Sequence, residues 1–182
     1  MSDYRRWFVA GGTYFFTLVT CHRYPFFRDS MAREFLGMAI RRTKSSQPFE
    51  LPAIVLLHDH LHCLVTLPHG DSDYPGRMKA IKDCFTSDWL TAGGHEEPVT
   101  ASQKRRGHRG IWQRRYHEHV IRDKSDLERH FDYIHFNPVK HGYVTRVKDW
   151  PWSSFHRHVT SRHYSENWGS GPLPQLDGME LE

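Results

Sequence analysis

"FELPAIVLLHDHLHCLVTLP", residues 49–68, decides the fold. Two runs rich in apolar and β-branched residues, 49–57 and 60–68, are separated only by His58 and Asp59. A link that short between two strands forces an antiparallel hairpin. Alternate side chains of a strand share a face, so His60 and His62 point one way and Leu61 the other. His58 falls in the turn before them.

Upstream, "TYFFTLVTCHR" (residues 13–23) is dense in β-branched and aromatic residues and reads as a strand entered through Gly11 and Gly12. "DSMAREFLGMAIRRTKSS" (29–46) predicts a helix, with Asp29 or Ser30 as cap, Met31, Phe35, Met38 and Ile40 as the apolar stripe, and a basic end. Downstream, residues 74–94 carry Met78, Ile81, Phe85 and Leu90 at helical spacing and stop at Gly93-Gly94. Residues 94–110 are polar and read as a mobile loop. "YHEHVIRD" (116–123) is a fourth strand, and Ser125-Asp126-Leu127-Glu128 matches a capping box that opens a helix closed by Pro138 and Gly142. The order β-α-β-β-α-β followed by a late helix predicts an α+β, ferredoxin-like antiparallel sheet with helices on one face.

The chain of 182 residues suits one domain, and its 38% hydrophobic and 14% aromatic content suits a packed one. A formal charge of +4 leans toward polyanionic partners. Cys21, Cys63 and Cys84 form no C-x-x-C pair, which offers neither a disulfide framework nor a cysteine zinc site and fits a reducing cytoplasm. The longest apolar stretches fall far short of the roughly 20 residues that span a bilayer, and no signal-peptide layout opens the chain. A cytoplasmic protein is expected. Apolar residues thin out after residue 160, so residues 1–160 are expected to form the domain and 161–182 a loosely held tail.

Two imidazoles converging on one point suit a divalent metal and leave positions for a further ligand, water and substrate. On spacing alone, a polar sheet face is the favoured account of them. The helix after residue 125 places Leu127, Phe131 and Ile134 on its core stripe. Tyr133 and Asn137, four apart, stack about 100° round from Ile134 and can reach a site together. An amide oxygen is an acceptable ligand for a hard cation, and a phenol beside a cation is a candidate nucleophile. The plainer alternative makes Tyr133 a half-buried packing residue and Asn137 the helix end before Pro138. Tyr116 and Tyr143 are rival nucleophiles without a partner four residues on.

"YRRWFVAGGTYFFT", "PFE", "DHLHCLVTLP", "IWQRRYHEHVIRD", "DYIHFNPVKHGYV" and "DWPWSSFHR", in this order over roughly residues 4–160, together resemble the HUH (His-hydrophobic-His) single-tyrosine, IS200-like transposases. More narrowly the chain resembles the REP-associated tyrosine transposases. The resemblance implies that His60 and His62 are metal ligands, Tyr133 is the nucleophile and Asn137 is the third ligand, where related transposases use glutamine. It implies Mg²⁺ or Mn²⁺ as cofactor and single-stranded DNA beside a REP hairpin as substrate. The reaction implied is nicking and joining through a 5′-phosphotyrosine. Relatives usually have proline at the position of His58, which leaves that residue to the turn.

For DNA, "KRRGHRGIWQRR" (104–115) carries six Lys or Arg around Trp112, the pattern of a charged track with a stacking platform. Arg114 and Arg115 are its leading contacts; a solvated loop is the alternative for Lys104 to Arg106. Arg5, Arg6, Gly11 and Gly12, with Lys140 in the late helix, complete the expected DNA-contact set, while Trp150 and Trp152 are equally readable as packing. A non-catalytic hairpin-binding module and a structural zinc protein are the rival functions. Monomer and homodimer both stay open.

Overall fold

The computed structural model describes residues 7–170. Arg5 and Arg6 lie outside the described residues. Four strands, β1 (Thr13–Val19), β2 (Glu50–Leu56), β3 (His60–Thr66) and β4 (His117–Val120), form one antiparallel sheet in the order β2-β3-β1-β4. With α1 (Ser30–Ser46) and α2 (Tyr74–Thr91) as the crossovers, this is the expected ferredoxin-like arrangement.

The register pairs Thr17 with His62 and Val19 with His60 across β1 and β3. It pairs Phe15 with His119 and Thr17 with His117 across β1 and β4. Phe15 and Phe16 are both fully buried, on opposite faces. Burial of each ring contributes roughly 1.5–3 kcal/mol, and a one-residue slip would turn every paired side chain to the wrong face. Tyr14, Phe16, Leu18, Leu61, Cys63 and Val65 meet α1 and α2 on one side. Phe15, Ala53, Val55 and Leu64 meet α4 (Lys124–Lys140) on the other, so the late helix closes the second face.

Several sequence expectations are corrected. The cap of α4 is Asp123, whose carboxylate accepts from the Asp126 amide at 2.8 Å, and no Ser125 capping box forms. Nor does Pro138 close the helix. It lies within the last turn and costs one amide donor there, and the chain continues to Lys140 before Gly142 turns it with φ +68°. Residues 94–110 are structured. They contain α3 (Ala101–Arg105), which carries a Thr100/Gln103 capping box, and Arg109 holds Glu96 through two 2.6 Å contacts.

The edge of β2 is covered. Leu56 N donates to Trp152 O at 2.9 Å, Ser154 N to Ile54 O at 2.8 Å, and Ile54 N to Ser154 Oγ at 2.9 Å. Trp150 and Trp152 therefore pack, and Trp150 Nε1 donates to Leu56 O at 2.9 Å. Packing also continues past residue 160. Tyr164 and Trp168 stack with Phe155 of α5 (Phe155–Thr160), so the chain is held at least that far.

Candidate active site

The α4-facing side of the sheet carries Phe15, Thr17, His60, His62, His117 and His119, and α4 lays Asp126, His130, Tyr133 and Asn137 over it. His60 and His62 are fully buried, with ring centroids 4.9 Å apart. Tyr133 is 2% exposed, and its ring centroid lies 5.3 Å from that of His62. Asn137 is fully buried. The four residues read from the sequence thus meet at one junction of strand and helix.

The histidines are oriented from behind. His60 Nδ1 donates to Asp59 Oδ1 at 2.6 Å, since a carboxylate only accepts, which leaves Nε2 as the nitrogen available to a ligand. That Nε2 is buried and has no hydrogen-bond partner. His62 Nδ1 contacts Thr17 Oγ1 at 2.8 Å. Carboxylate or hydroxyl support on the far nitrogen is what fixes metal-binding imidazoles. Burial alone would raise the Asp59 carboxyl, but bonds from His60 and Arg23 leave it below the usual range and ionised. Burial holds His62 well below the ordinary imidazole value, reinforced by His60, His141 and Lys140, so it is neutral. The Asn137 amide stands beside that ring and opposes the shift without reaching hydrogen-bond geometry; neither of its polar atoms has a partner of ordinary geometry. Two buried imidazoles, that of His62 neutral, and a buried amide oxygen fit a divalent cation of the Mg²⁺ or Mn²⁺ kind.

Lys140 Nζ donates to Tyr133 Oη at 3.3 Å and lies 4.9 Å over its ring. An ammonium there favours negative charge on the phenol oxygen. Beside its expected place among the DNA contacts, Lys140 thus has a second role on Tyr133. Tyr116 is excluded by the sheet, since it packs against Phe16 on the α1/α2 side. Tyr143 stacks outside the pair, on Trp150 and His141. His58 sits in the β2–β3 turn against Tyr143 and Trp150, where the sequence puts it.

The DNA-contact set divides. Arg114 and Arg115 are exposed. Arg114 lines grooves of about 450 Å³ and about 430 Å³ with Arg109, Trp112 and Gln113. Neither groove is lined by His60, His62, Tyr133 or Asn137, and the second runs along Lys79, Lys82 and Asp83 of α2 and Tyr116, on the α1/α2 side. Trp112 departs from its expected role. It is 8% exposed, packed on Phe27 and Phe85, and is a core residue rather than an open stacking platform. Gly11 takes φ +69°, and a Cβ on Gly12 would lie 2.9 Å from Val9 O, so the backbone itself requires both glycines. The supports Asp59 and Thr17 escape a reading of the sequence alone. Asp59 adjoins His60, but Thr17 is visible only through strand register.

Residues 9–137 match the family described as IS200-like transposase. A chain of Haemophilus influenzae assigned to the REP-associated tyrosine transposases is 45% identical over 98% of this chain and 99% of its own. The REP-associated tyrosine transposase of Escherichia coli is 40% identical over 92% of this chain and 91% of its own. A REP-associated tyrosine transposase solved bound to a REP hairpin superposes with a TM-score of 0.77 at 38% identity, over 97% of this chain and 96% of that one. No helix among the described residues is long and apolar enough to cross a membrane. The chain belongs to the IS200-like transposase family and, within it, to the REP-associated tyrosine transposases.

Proposed function

We propose that the protein is a cytoplasmic, metal-dependent enzyme that nicks and rejoins single-stranded DNA beside REP hairpins, with Tyr133 as nucleophile. The observation that carries this reading is the junction where the buried Nε2 of His60, His62 and Asn137 stand next to a phenol capped by Lys140. The family, and a relative solved on a REP hairpin, support the substrate.

Held by His60, His62 and Asn137, Mg²⁺ or Mn²⁺ would polarise the scissile phosphate and stabilise charge on its oxygens. Tyr133 Oη, whose phenolate Lys140 favours, gives its proton to solvent and attacks phosphorus in line, and the departing 3′ oxygen takes a proton from solvent. The P–O bond to the upstream 3′ oxygen breaks, leaving a free 3′-hydroxyl and a 5′-phosphotyrosine. Attack by another 3′-hydroxyl reverses the step and joins strands; the phosphodiester energy is kept in the covalent link, so no ATP is consumed. Asp59 and Thr17 keep the two imidazoles in place. Arg114, from the rim of its grooves, and the exposed Arg115 supply phosphate contacts, and Arg5 and Arg6 remain expected hairpin contacts.

The test incubates the protein with Mn²⁺ and labelled single-stranded REP DNA and looks for a denaturant-resistant adduct. Wild type forms it; Tyr133→Phe and His60→Ala with His62→Ala do not, while each still binds the hairpin. An adduct of normal yield in Tyr133→Phe overturns the nucleophile, and hairpin binding with no adduct in wild type replaces the enzyme with a binding module.

A further inference from the structure

One turn before Tyr133, α4 carries a second polar cluster that the proposed reaction does not use. His119 from β4 and Asp126 and His130 from α4 each offer a ligand atom, all within 4.8 Å of one another. Asp126 is 2% exposed and His130 3% exposed. His119 Nε2 lies 2.8 Å from Asp126 Oδ2, and the two imidazoles stack at 4.7 Å with an interplanar angle of 14°.

His130 reaches the Asp126 carboxylate through Nδ1, 3.3 Å from Oδ1. Its Nδ1 donates to the Asp126 backbone carbonyl at 2.7 Å, and a carbonyl only accepts, so Nε2 bears the lone pair. That Nε2 is buried without a partner, which leaves the desolvation of an acceptor uncompensated. The Phe15 ring separates this cluster from the first site, 4.9 Å from His130 and 5.5 Å from His62.

We infer that His119, Asp126 and His130 form a second cation site, distinct from that of His60, His62 and Asn137, for a borderline transition metal such as Zn²⁺. Two imidazoles and one carboxylate are a ligand set that such ions take, with the remaining positions filled by water. Ligand atoms about 3.4 Å apart would surround an ion at bond lengths near 2.1 Å, so the cluster must close on binding. Arg122 and Arg129 also reach Asp126, at 3.4 and 3.5 Å, but both side chains are more than half exposed and can turn to solvent. Against burial, which would raise it, hydrogen bonds from His119 and Arg122 hold Asp126 at about 2, and burial lowers His130; His119 Nε2, the donor to that carboxylate, gives up its proton when the ion binds. A bound ion would clamp β4 to α4 and fix the turn of helix from which Tyr133 projects.

Co²⁺ is the probe, as a spectroscopic stand-in for Zn²⁺, with stoichiometry from calorimetry and ligand field from the visible spectrum. Wild type is expected to bind two equivalents; His60→Ala with His62→Ala loses one, and His119→Ala with His130→Gln loses the other. The single variant His119→Ala, altered at a partly exposed position, covers the case in which the double variant fails to fold. If the His60/His62 variant binds no Co²⁺, or if His119→Ala retains the full stoichiometry and spectrum of wild type, the second site does not exist. One equivalent in wild type that survives in the His60/His62 variant and is lost with His119 would uphold this site while removing metal from the first.

Discussion

Replacing Lys140 with methionine keeps the length of the side chain and removes its charge, which isolates what the ammonium does for Tyr133. At 3.3 Å a unit positive charge stabilises a phenolate by about 1.3 kcal/mol in water and by about 5 kcal/mol at an effective dielectric near 20. Lys140 is exposed although Tyr133 is buried, so solvent screens the pair and the lower figure governs. A loss of about 1.3 kcal/mol slows attack about tenfold. The assay is single-turnover adduct formation on labelled single-stranded REP DNA with Mn²⁺, from about pH 6 to about pH 9. Lys140→Met should be about tenfold slower near neutrality, and the deficit should narrow as pH rises, because hydroxide then supplies the phenolate that lysine no longer favours. Lys140→Arg should recover part of the rate. A deficit that is constant with pH and matched by weaker hairpin binding would refute the reasoning and make Lys140 a phosphate contact alone.

The cap assignment is tested by a pair of substitutions. Asp123→Ala should cost about 1 kcal/mol in urea unfolding, while Ser125→Ala should change stability by no more than about 0.5 kcal/mol; the reverse order would restore the capping box. His135 is fully buried, and burial, with His158 next in weight, pushes it down to about 3. Below the ordinary imidazole value near 6.5, the unfolded chain takes up a proton that folded His135 refuses. This group's contribution is therefore complete above about pH 6.5 and is lost as pH falls, by up to about 1.4 kcal/mol per unit. His135→Gln should flatten the acid limb of the melting temperature against pH, and an unchanged slope would contradict the assignment. Arg114→Ala with Arg115→Ala should weaken hairpin binding and reduce the slope of log K against log salt by about 1 for each phosphate no longer neutralised; an unchanged slope would place the DNA elsewhere.

Alternation along residues 60–66 is enough to put His60 and His62 on one face and Leu61 on the other, and four-residue spacing is enough to bring Tyr133 and Asn137 to them. Those features are local, and the fold only has to honour them. Trp112 misleads because its neighbours in sequence are basic, whereas its surroundings in space are Phe27 and Phe85 from distant segments. The cap of α4 is ambiguous in sequence because Ser125 and Asp123 both offer an acceptor, and only the point at which the chain leaves β4 decides which meets the first free amides. Thr17 stays hidden for a related reason, since its service to His62 depends on how β1 pairs with β3, which no spacing within either strand encodes.

The same nonlocality explains how the candidate site can rest on a helix that meets the sheet through a polar stripe beside its apolar one, that of Leu127, Phe131 and Ile134. Asp126, His130, Tyr133 and Asn137 follow one another at intervals of four, three and four, so a single stripe of α4 carries both polar clusters. Such a stripe adheres poorly to a sheet by apolar contact alone, and the helix is fastened on either side of Tyr133 instead. Before it, Asp126 accepts from His119 of β4 and from the Arg122 amide. After it, His135 Nε2 meets Ser154 Oγ at 2.8 Å, and that hydroxyl also accepts from Ile54 N on the edge of β2. The phenol therefore sits between two anchors that reach opposite edge strands, while the histidines it must meet lie on the central β3. Altering either anchor should change the position of Tyr133 relative to His62 without touching a reacting group, so Ser154→Ala is expected to lower the rate of adduct formation while hairpin affinity stays at its wild-type value.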